Sequence, residues 1–472
     1  MMAVNDLDDL IQQLEASTIE HGSAAPFFAS NPYSKIKTGL LKSIGTSWEH
    51  ELENALVSWF RDHPSAWPST PSASEFANLA ALAPSLGLAY PVTGGIFQNF
   101  TSHNSFTYLQ NKKNFLHLTS LSSDGKLFRH ISPSLLMALA LSASVHEPRH
   151  EDRNLSRLLE TISGTDSSSA VIRQAISTRL SNRKELSKAT YSHHGHRVAL
   201  LITGQMRSPD TALPQLAANF KMLNPDVYVS TWQKPGLTKV EPTRYKRIFS
   251  EDLWPVAEQL QDNEWAGLSE SLGKAESADS TRLRTRIEKA LEPLNIAGIN
   301  IDDECHPMFA GMSNHAKMYW HNYFWPTKLG KGFLSHNYDF VIKVRPDISL
   351  KSERPFSLSD LSKIGSDVAT EFRGWKFNVW GLGSGDQVIY GRSDIMEQVL
   401  STWWDGRRLV PKIVLTALGK PDIFLGHQNT GLEIWLSGST PVKMSFGHGG
   451  FHSARISSME ELRSHIPTFT LD

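Results

Sequence analysis

The feature that most limits what this chain can fold into is a change of texture at residue 197. Arg197–Thr203 reads RVALLIT, an apolar run closed at each end by a polar residue. A continuous run of this kind is a strand covered on both faces, as in parallel sheets sandwiched between helices. It leads into Gly204-Gln205-Met206-Arg207-Ser208, then into a helical pattern with Leu213, Leu216, Phe220 and Leu223 on one face. Asn224-Pro225-Asp226 turns the chain into a second strand, VYVSTW (227–232). A charged helical insertion occupies about 250–295, and a Trp- and Tyr-rich helix follows at 313–325. YDFVIKV (338–344) is a further strand, stopped by Arg345-Pro346-Asp347. Val388–Tyr390 is strand-like after Gly383-Ser384-Gly385-Asp386, and Ile395, Met396, Val399 and Leu400 mark another helix. Strands alternating with helices predict an α/β fold with a mostly parallel, open sheet. In such sheets ligands sit beyond the carboxyl ends of the strands, which directs attention to 204–208 and 345–347.

The first 186 residues read differently. Leu7, Leu10, Ile11 and Leu14 follow the helical period, as do Trp48, Leu52, Leu56, Trp59 and Phe60. The pattern returns at Leu155, Leu158, Leu159 and Ile162, and again at Val171, Ile172, Ala175, Ile176 and Leu180. Residues 1–186 are therefore expected to form a mostly α-helical accessory domain, 187–196 a linker, and 197–472 the α/β domain. His193, His194 and His196 lie in that linker without a Cys or carboxylate at ligand spacing, so they predict a solvated segment rather than a metal site.

Composition excludes several classes. Among 472 residues, 47 Lys and Arg face 48 Asp and Glu, so no global field draws nucleic acid or an anionic membrane, and any anion must be held locally. One cysteine, Cys305, excludes an internal disulfide framework and a cysteine-rich metal module. The amino-terminal MMAVNDLDDLIQQLEAS is acidic and amphipathic, unlike a secretory signal. The uncharged stretch 76–111 is broken by Pro84, Gly87, Pro91, Gly94 and Gly95, and ISPSLLMALALSASV (131–145) is too short to span a bilayer and predicts a buried helix. The expected location is cytoplasmic, with peripheral contact at the inner face of a membrane left open.

Two segments carry chemistry. After the first strand, Gly204 allows close backbone approach and Arg207 offers a planar, permanently charged fork suited to phosphate. An ordinary βα turn with a surface Arg accounts for the same residues. After the later strand, Arg345-Pro346-Asp347 sets a cation and a carboxylate around a rigid Pro. That pair can neutralise phosphate, ligate a divalent ion or accept from a sugar hydroxyl, and it can equally be a structural ion pair.

The order strand-Gly-Gln-x-Arg, Asp-x-x-x-x-Thr-Trp (226–232) and Tyr-Asp-x-Val-Ile-x-x-Arg-Pro-Asp (338–347) resembles bacterial glycosyltransferases with a GT-A-type, Rossmann-like fold, including WavE-like sugar transferases of polysaccharide and lipopolysaccharide synthesis. The resemblance spans roughly 197–455. It implies a nucleotide-sugar donor and a capsular, lipopolysaccharide or lipid-linked glycan acceptor. In such enzymes Arg-Pro-Asp stands where many carry Asp-x-Asp, the motif that holds the nucleotide diphosphate through a metal. The resemblance thus implies Asp347 at the metal or donor, and Gly204, Gln205, Arg207, Trp232, Lys317 and Arg345 at the nucleotide sugar. Asp386 becomes the catalytic carboxylate that deprotonates the acceptor, alongside Asp347. Glu433, His448 and His452 are assigned to the acceptor pocket or a lid, although Glu433 also reads as a helix-surface charge.

One departure separates this chain from the pattern. Its only literal Asp-x-Asp is Asp6-Leu7-Asp8, in the first amphipathic helix, so Mn or Mg would have a single strand-end carboxylate, and cations can hold the diphosphate instead. A Kdo or sialic acid donor, carrying a nucleoside monophosphate, also remains open. Asp302-Asp303-Glu304 is expected to be a solvated turn. Two other readings stay open: a GT-B-type transferase, which needs strands in the first half, and a helical adaptor whose degenerate transferase domain binds glycan without turnover.

Overall fold

The computed structural model describes residues 6–22, 24–31, 33–63, 66, 102–121, 132–162, 167–188, 196–233, 240–279, 282–352, 354–405, 425–451 and 456–467. The chain divides into two compact units. One comprises Met1–Lys184 with Trp375–Gly383 and Arg408–Ile423, the other Glu185–Gly374 with Ser384–Arg407 and Phe424–Asp472. The division falls inside the helix Ser167–Lys188, so the expected linker begins as helix. His193 and His194 lie outside the described residues.

The first unit is helical, as its periodicity requires. Asp6 of the lone Asp-x-Asp caps Leu7–His21 by accepting from the Asp9 amide, a local role that leaves no site there. Pro133–His146 is buried over Leu135–Ser144, as expected of an apolar helix. Arg179, fully buried, forks onto Glu151 through Nε at 3.0 Å and Nη2 at 3.1 Å. Ser144 donates to the same carboxylate, so the buried charges are paired and hydrogen-bonded. A small hairpin, Lys376–Asn378 and Gly381–Gly383, also belongs to this unit. Phe377 meets the rings of Phe106 and His146 there.

The second unit is built on strands. In chain order these are β1 (Val198–Thr203), β2 (Asp226–Trp232), β3 (Asn295–Asp302), β4 (Phe340–Val344), β5 (Ile348–Lys351), β6 (Val368–Thr370), β7 (Val388–Arg392), β8 (Pro441–Lys443) and β9 (Gly447–Phe451). Seven of them form one sheet in the order β8-β6-β7-β4-β1-β2-β3. Pairings are parallel except at β7, which runs antiparallel to both β4 and β6. β5 and β9 pair separately and antiparallel. The fold class is therefore α/β with a mostly parallel, mixed sheet.

Side chains alternate across these strands. Val198, Leu200, Ile202, Val227, Val229, Phe340, Ile342 and Val344 face a core completed by Leu213, Leu216 and Phe220 of the helix Pro209–Phe220. Each such buried side chain contributes roughly 1.5–3 kcal/mol. The Trp- and Tyr-rich helix, Asn314–Leu329, covers Tyr228, Ser230 and Thr203 and brings polar groups to them. Trp325 donates to the Val229 carbonyl at 3.0 Å.

β1 leads to β2 on one side while β4 lies on its other side, so the strand order reverses between β1 and β4. Open α/β sheets bind their ligands at such a reversal. Strands β3, β5, β6, β8 and β9 lack a clear signal in the sequence pattern. β3 (NIAGINID) is only half-buried and bulged opposite Val227 and Tyr228, so it lacks the apolar run that marked β1. Among the described residues no helix is long and apolar enough to cross a membrane.

A Cβ on Gly298 of β3 would lie 2.4 Å from the Trp325 ring. Gly298→Ala should therefore cost about 1–3 kcal/mol by overpacking. Thermal unfolding should record this as a fall of roughly 2–4 °C per kcal/mol. An unchanged Tm would show that the indole yields freely.

Candidate functional site

The carboxyl edge of the sheet gathers the strand-end segments. β1 is followed by Gly204, whose φ of +121° is reached without strain because it lacks a Cβ, and Pro346 Cδ lies 3.7 Å from where that Cβ would be. The two segments singled out in the sequence thus touch. Arg345 donates to Asp347 through Nε to Oδ1 at 3.0 Å and Nη2 to Oδ2 at 2.9 Å. Arg207 reaches the same carboxylate from the other strand end, Nη1 to Oδ2 at 3.3 Å, and its Nη2 donates to Gln205 Oε1 at 2.6 Å. Asp347 is fully buried, while the Arg207 and Arg345 side chains stay 21% and 19% exposed, enough to meet a ligand. Burial works against a charged Arg345, but Asp347 beside it, with Asp386 and Glu371 nearby, outweighs that and holds its pKa above the ordinary value.

This arrangement does not fit the divalent cation that the resemblance implies. Both oxygens of Asp347 accept from guanidinium N–H groups, and no group of three or more His, Cys, Asp or Glu among the described residues is arranged to hold an ion. The assignment of Asp347 as a metal ligand is corrected: it is the shared counter-ion of two arginines.

A second cluster stands beside the first because β7 is antiparallel. The residues preceding β7 therefore lie at the same edge as those following β4, and the Arg345 amide donates to the Gln387 carbonyl at 2.9 Å. Asp386 is buried there. Its Oδ2 accepts from Tyr319 Oη at 3.1 Å, and Tyr319 in turn contacts Thr430 Oγ1 at 2.7 Å. Burial and the neighbouring Asp386 raise the Tyr319 pKa well above the usual phenol range, so it remains a donor. His427 Nδ1 lies 3.6 Å from Asp386 Oδ1 and 3.0 Å from the Ser384 carbonyl. Lys343, buried within β4, donates to the Asp386 carbonyl, and burial lowers its pKa to about 8.

Glu371, just past β6, fixes this segment. Its carboxylate accepts from the amides of Asp386 at 3.0 Å, Gln387 at 3.2 Å and Val388 at 3.3 Å. Gly385 makes room for it, since a Cβ there would lie 2.4 Å from Oε2. Sequence reasoning found Asp386 but missed Glu371, His427, Tyr319 and Lys343. The Gly-Ser-Gly-Asp run was the one local sign that a side chain crosses the backbone there.

Other expected site residues are engaged with partners of their own. Lys317 pairs with Glu304 at 2.9 Å, so neither is a loose surface charge. Asp302 closes β3, accepts from Trp320 Nε1 at 2.9 Å and lies 3.8 Å from His321, which corrects its reading as a solvated turn. Trp232 is buried against Phe309 and His321, so its indole has no open face for a base or sugar. Glu433 is buried and contacts Gln398, which corrects its reading as a helix-surface charge. His448 lies in β9, its backbone opposite Leu350, a strand rather than the expected Gly-rich lid. Glycines accept this extended pairing because β5 supplies the partner backbone. His452 lies outside the described residues.

Two cavities lie elsewhere in the same unit. One of about 510 Å³ is bordered by Lys351, Arg354, Asp360 and Ser445, and one of about 610 Å³ by Lys221, Arg286 and Lys289. No family description, no curated protein and no solved structure matches the chain.

His321 is buried beside the site, contacts Ser230 Oγ at 2.8 Å, and burial lowers its pKa to about 3. Between pH 6.5 and about 3 the unfolded chain carries a proton there that the folded chain lacks, so stability falls as pH falls across that window. The loss approaches about 1.4 kcal/mol per pH unit. Melting curves from about pH 7 to about pH 4 should show a shallower decline for His321→Asn than for the parent protein. Equal slopes would mean that the imidazole charges without leaving its pocket.

Proposed function

We propose that the second unit is a nucleotide-sugar-dependent glycosyltransferase of GT-A type, acting on a polysaccharide, lipopolysaccharide or lipid-linked glycan acceptor. One observation carries the reading: Arg207 and Arg345, 138 residues apart in the sequence, converge on Asp347 at the point where the strand order reverses. Two guanidiniums share one buried carboxylate and are held in fixed orientation, reachable from solvent. Glycosyl transfer from a nucleotide donor requires such a feature, because the departing phosphate gains negative charge as the bond to the anomeric carbon breaks. Preorganised cations aimed at developing charge are the largest catalytic contribution in many enzymes, worth about 3–4 kcal/mol per donor removed. Gly204 supports the same reading by letting a phosphate approach the backbone closely. The Asp386 cluster lies on the acceptor side of this scheme, within the same edge of the sheet.

Two measurements test it. Thermal unfolding with UDP, GDP, TDP, ADP and CMP should show stabilisation by at least one, about 2.7 kcal/mol at 100 times its Kd. Arg345→Ala should remove that stabilisation, and no response to any of the five would overturn the reading. Release of nucleotide from UDP-, GDP- and CMP-sugars should continue in EDTA, since guanidiniums rather than a metal hold the phosphate. Loss of release in EDTA, restored by Mn or Mg, would return Asp347 to the role of metal ligand.

A further inference from the structure

We infer that His427, not Asp386, is the group that removes the proton from the attacking hydroxyl, with Asp386 as its positioning residue. The inference rests on the transfer proposed above. Asp386 sits poorly for direct proton abstraction: its carboxylate is buried, one oxygen takes the Tyr319 hydroxyl, and its main chain is clamped by Lys343 and Glu371. His427, in the first turn of the helix Gly426–Leu436, has a side chain that is 45% exposed. A carbonyl oxygen only accepts, so the 3.0 Å contact with the Ser384 carbonyl makes Nδ1 the donor. In the neutral ring the lone pair is then on Nε2, and the imidazole cannot turn without losing that bond. The Ser384 amide donates back to the His427 carbonyl at 3.0 Å, which fixes the two segments to each other.

The proton balance is simple. The acceptor oxygen forms its bond to the anomeric carbon as the bond from that carbon to the phosphate oxygen breaks, and the electron pair leaves on the nucleotide. The hydroxyl proton passes to His427 Nε2. The resulting imidazolium lies with Nδ1 3.6 Å from Asp386 Oδ1, close enough for the carboxylate to stabilise it while the Ser384 carbonyl keeps its hydrogen bond. Among the described residues, the charged and titratable groups near Asp386 and His427 include Glu371, Tyr319, Lys343 and Arg345, and the Phe372 ring lies 5.7 Å from the imidazole. Of these, Lys343 and Arg345 are tied to backbone or carboxylate and Tyr319 is held protonated, which leaves His427 as the exposed base.

The test uses the full chain and hydrolysis of UDP-glucose, UDP-galactose, GDP-mannose and CMP-sialic acid, in which water takes the place of the acceptor hydroxyl. His427→Asn keeps an N–H for the Ser384 carbonyl and removes the base. It should lower kcat by roughly 10²–10⁴-fold, with donor KM within about twofold and the nucleotide-induced thermal shift retained. The acid limb of the parent pH–rate profile should be absent in the variant. Imidazole in the buffer should restore part of the rate to His427→Ala. Parent-like turnover and an unchanged pH profile in His427→Asn would overturn this inference while leaving the transferase reading standing. A parent protein that neither binds a nucleotide nor hydrolyses any of these sugars would overturn both.

Discussion

A single buried carboxylate holds the carboxyl edge of the sheet together. Asp347 is removed from water, and an isolated charge there would cost several kcal/mol. It is tolerated because Arg345 grips it through two N–H groups and Arg207 adds a third from the neighbouring strand end. The same contacts fix both guanidiniums, whose long side chains would otherwise sample many rotamers in solvent. Their orientation follows from folding, before any ligand arrives. This is what distinguishes preorganised cations from surface ones, and it is why the two strand ends can act as one unit.

The position of everything else at that edge follows from strand direction. β1 and β4 are parallel neighbours, so their carboxyl ends coincide and Gly204 lies against Pro346. β7 is antiparallel to β4, so it contributes the residues before it, Asp386 and Gln387, rather than those after it. A parallel strand in that place would have delivered Ser393 and Asp394 instead. β6, antiparallel to β7, then brings Glu371 to the same edge, where it accepts three successive amides. One reversed strand thus joins Asp386, Glu371 and Arg345 into a connected network.

This geometry also explains what could be read from the residues alone. β1, β2, β4 and β7 were legible because each carries a largely apolar run with Gly, Pro or Asp close to one end, as in RVALLIT before Gly204 and YDFVIKV before Arg345-Pro346-Asp347. Arg207, Arg345 and Asp347 followed from the rule that strand ends carry function. β3, β6 and β8 are short or half-buried edge and near-edge strands whose pairing is decided by neighbours far away in the sequence. Glu371 and His427 were invisible for a related reason. Each follows or opens an element with an unremarkable local pattern, and each acquires its partner only through the sheet order. Trp232 misled because an aromatic residue after a strand suits a base platform and a core position equally well, and only burial separates them. Lys317 and Glu304 show the same limit for charges: their pairing depends on where the helix Asn314–Leu329 crosses β3.

The charge pattern at the edge narrows how it can recognise anything. Arg207, Arg345 and Lys343 face Asp347, Asp386 and Glu371 over a short span, so opposite charges nearly cancel. That local balance mirrors the whole chain, with 47 basic and 48 acidic side chains. Such a cluster generates little field beyond about a Debye length, roughly 8–10 Å at ordinary ionic strength. Attraction over distance therefore contributes little, and on the function proposed above selection would come from contact: the direction of two guanidinium forks, the backbone space left by Gly204, and the lone pair of His427. Buried carboxylates keep the arginines from collapsing onto other partners, while burial holds the Lys343 pKa near 8, still on the charged side at neutral pH. The internal anions are thus the structural condition for using the cations, because they position positive charge without surrendering it to solvent.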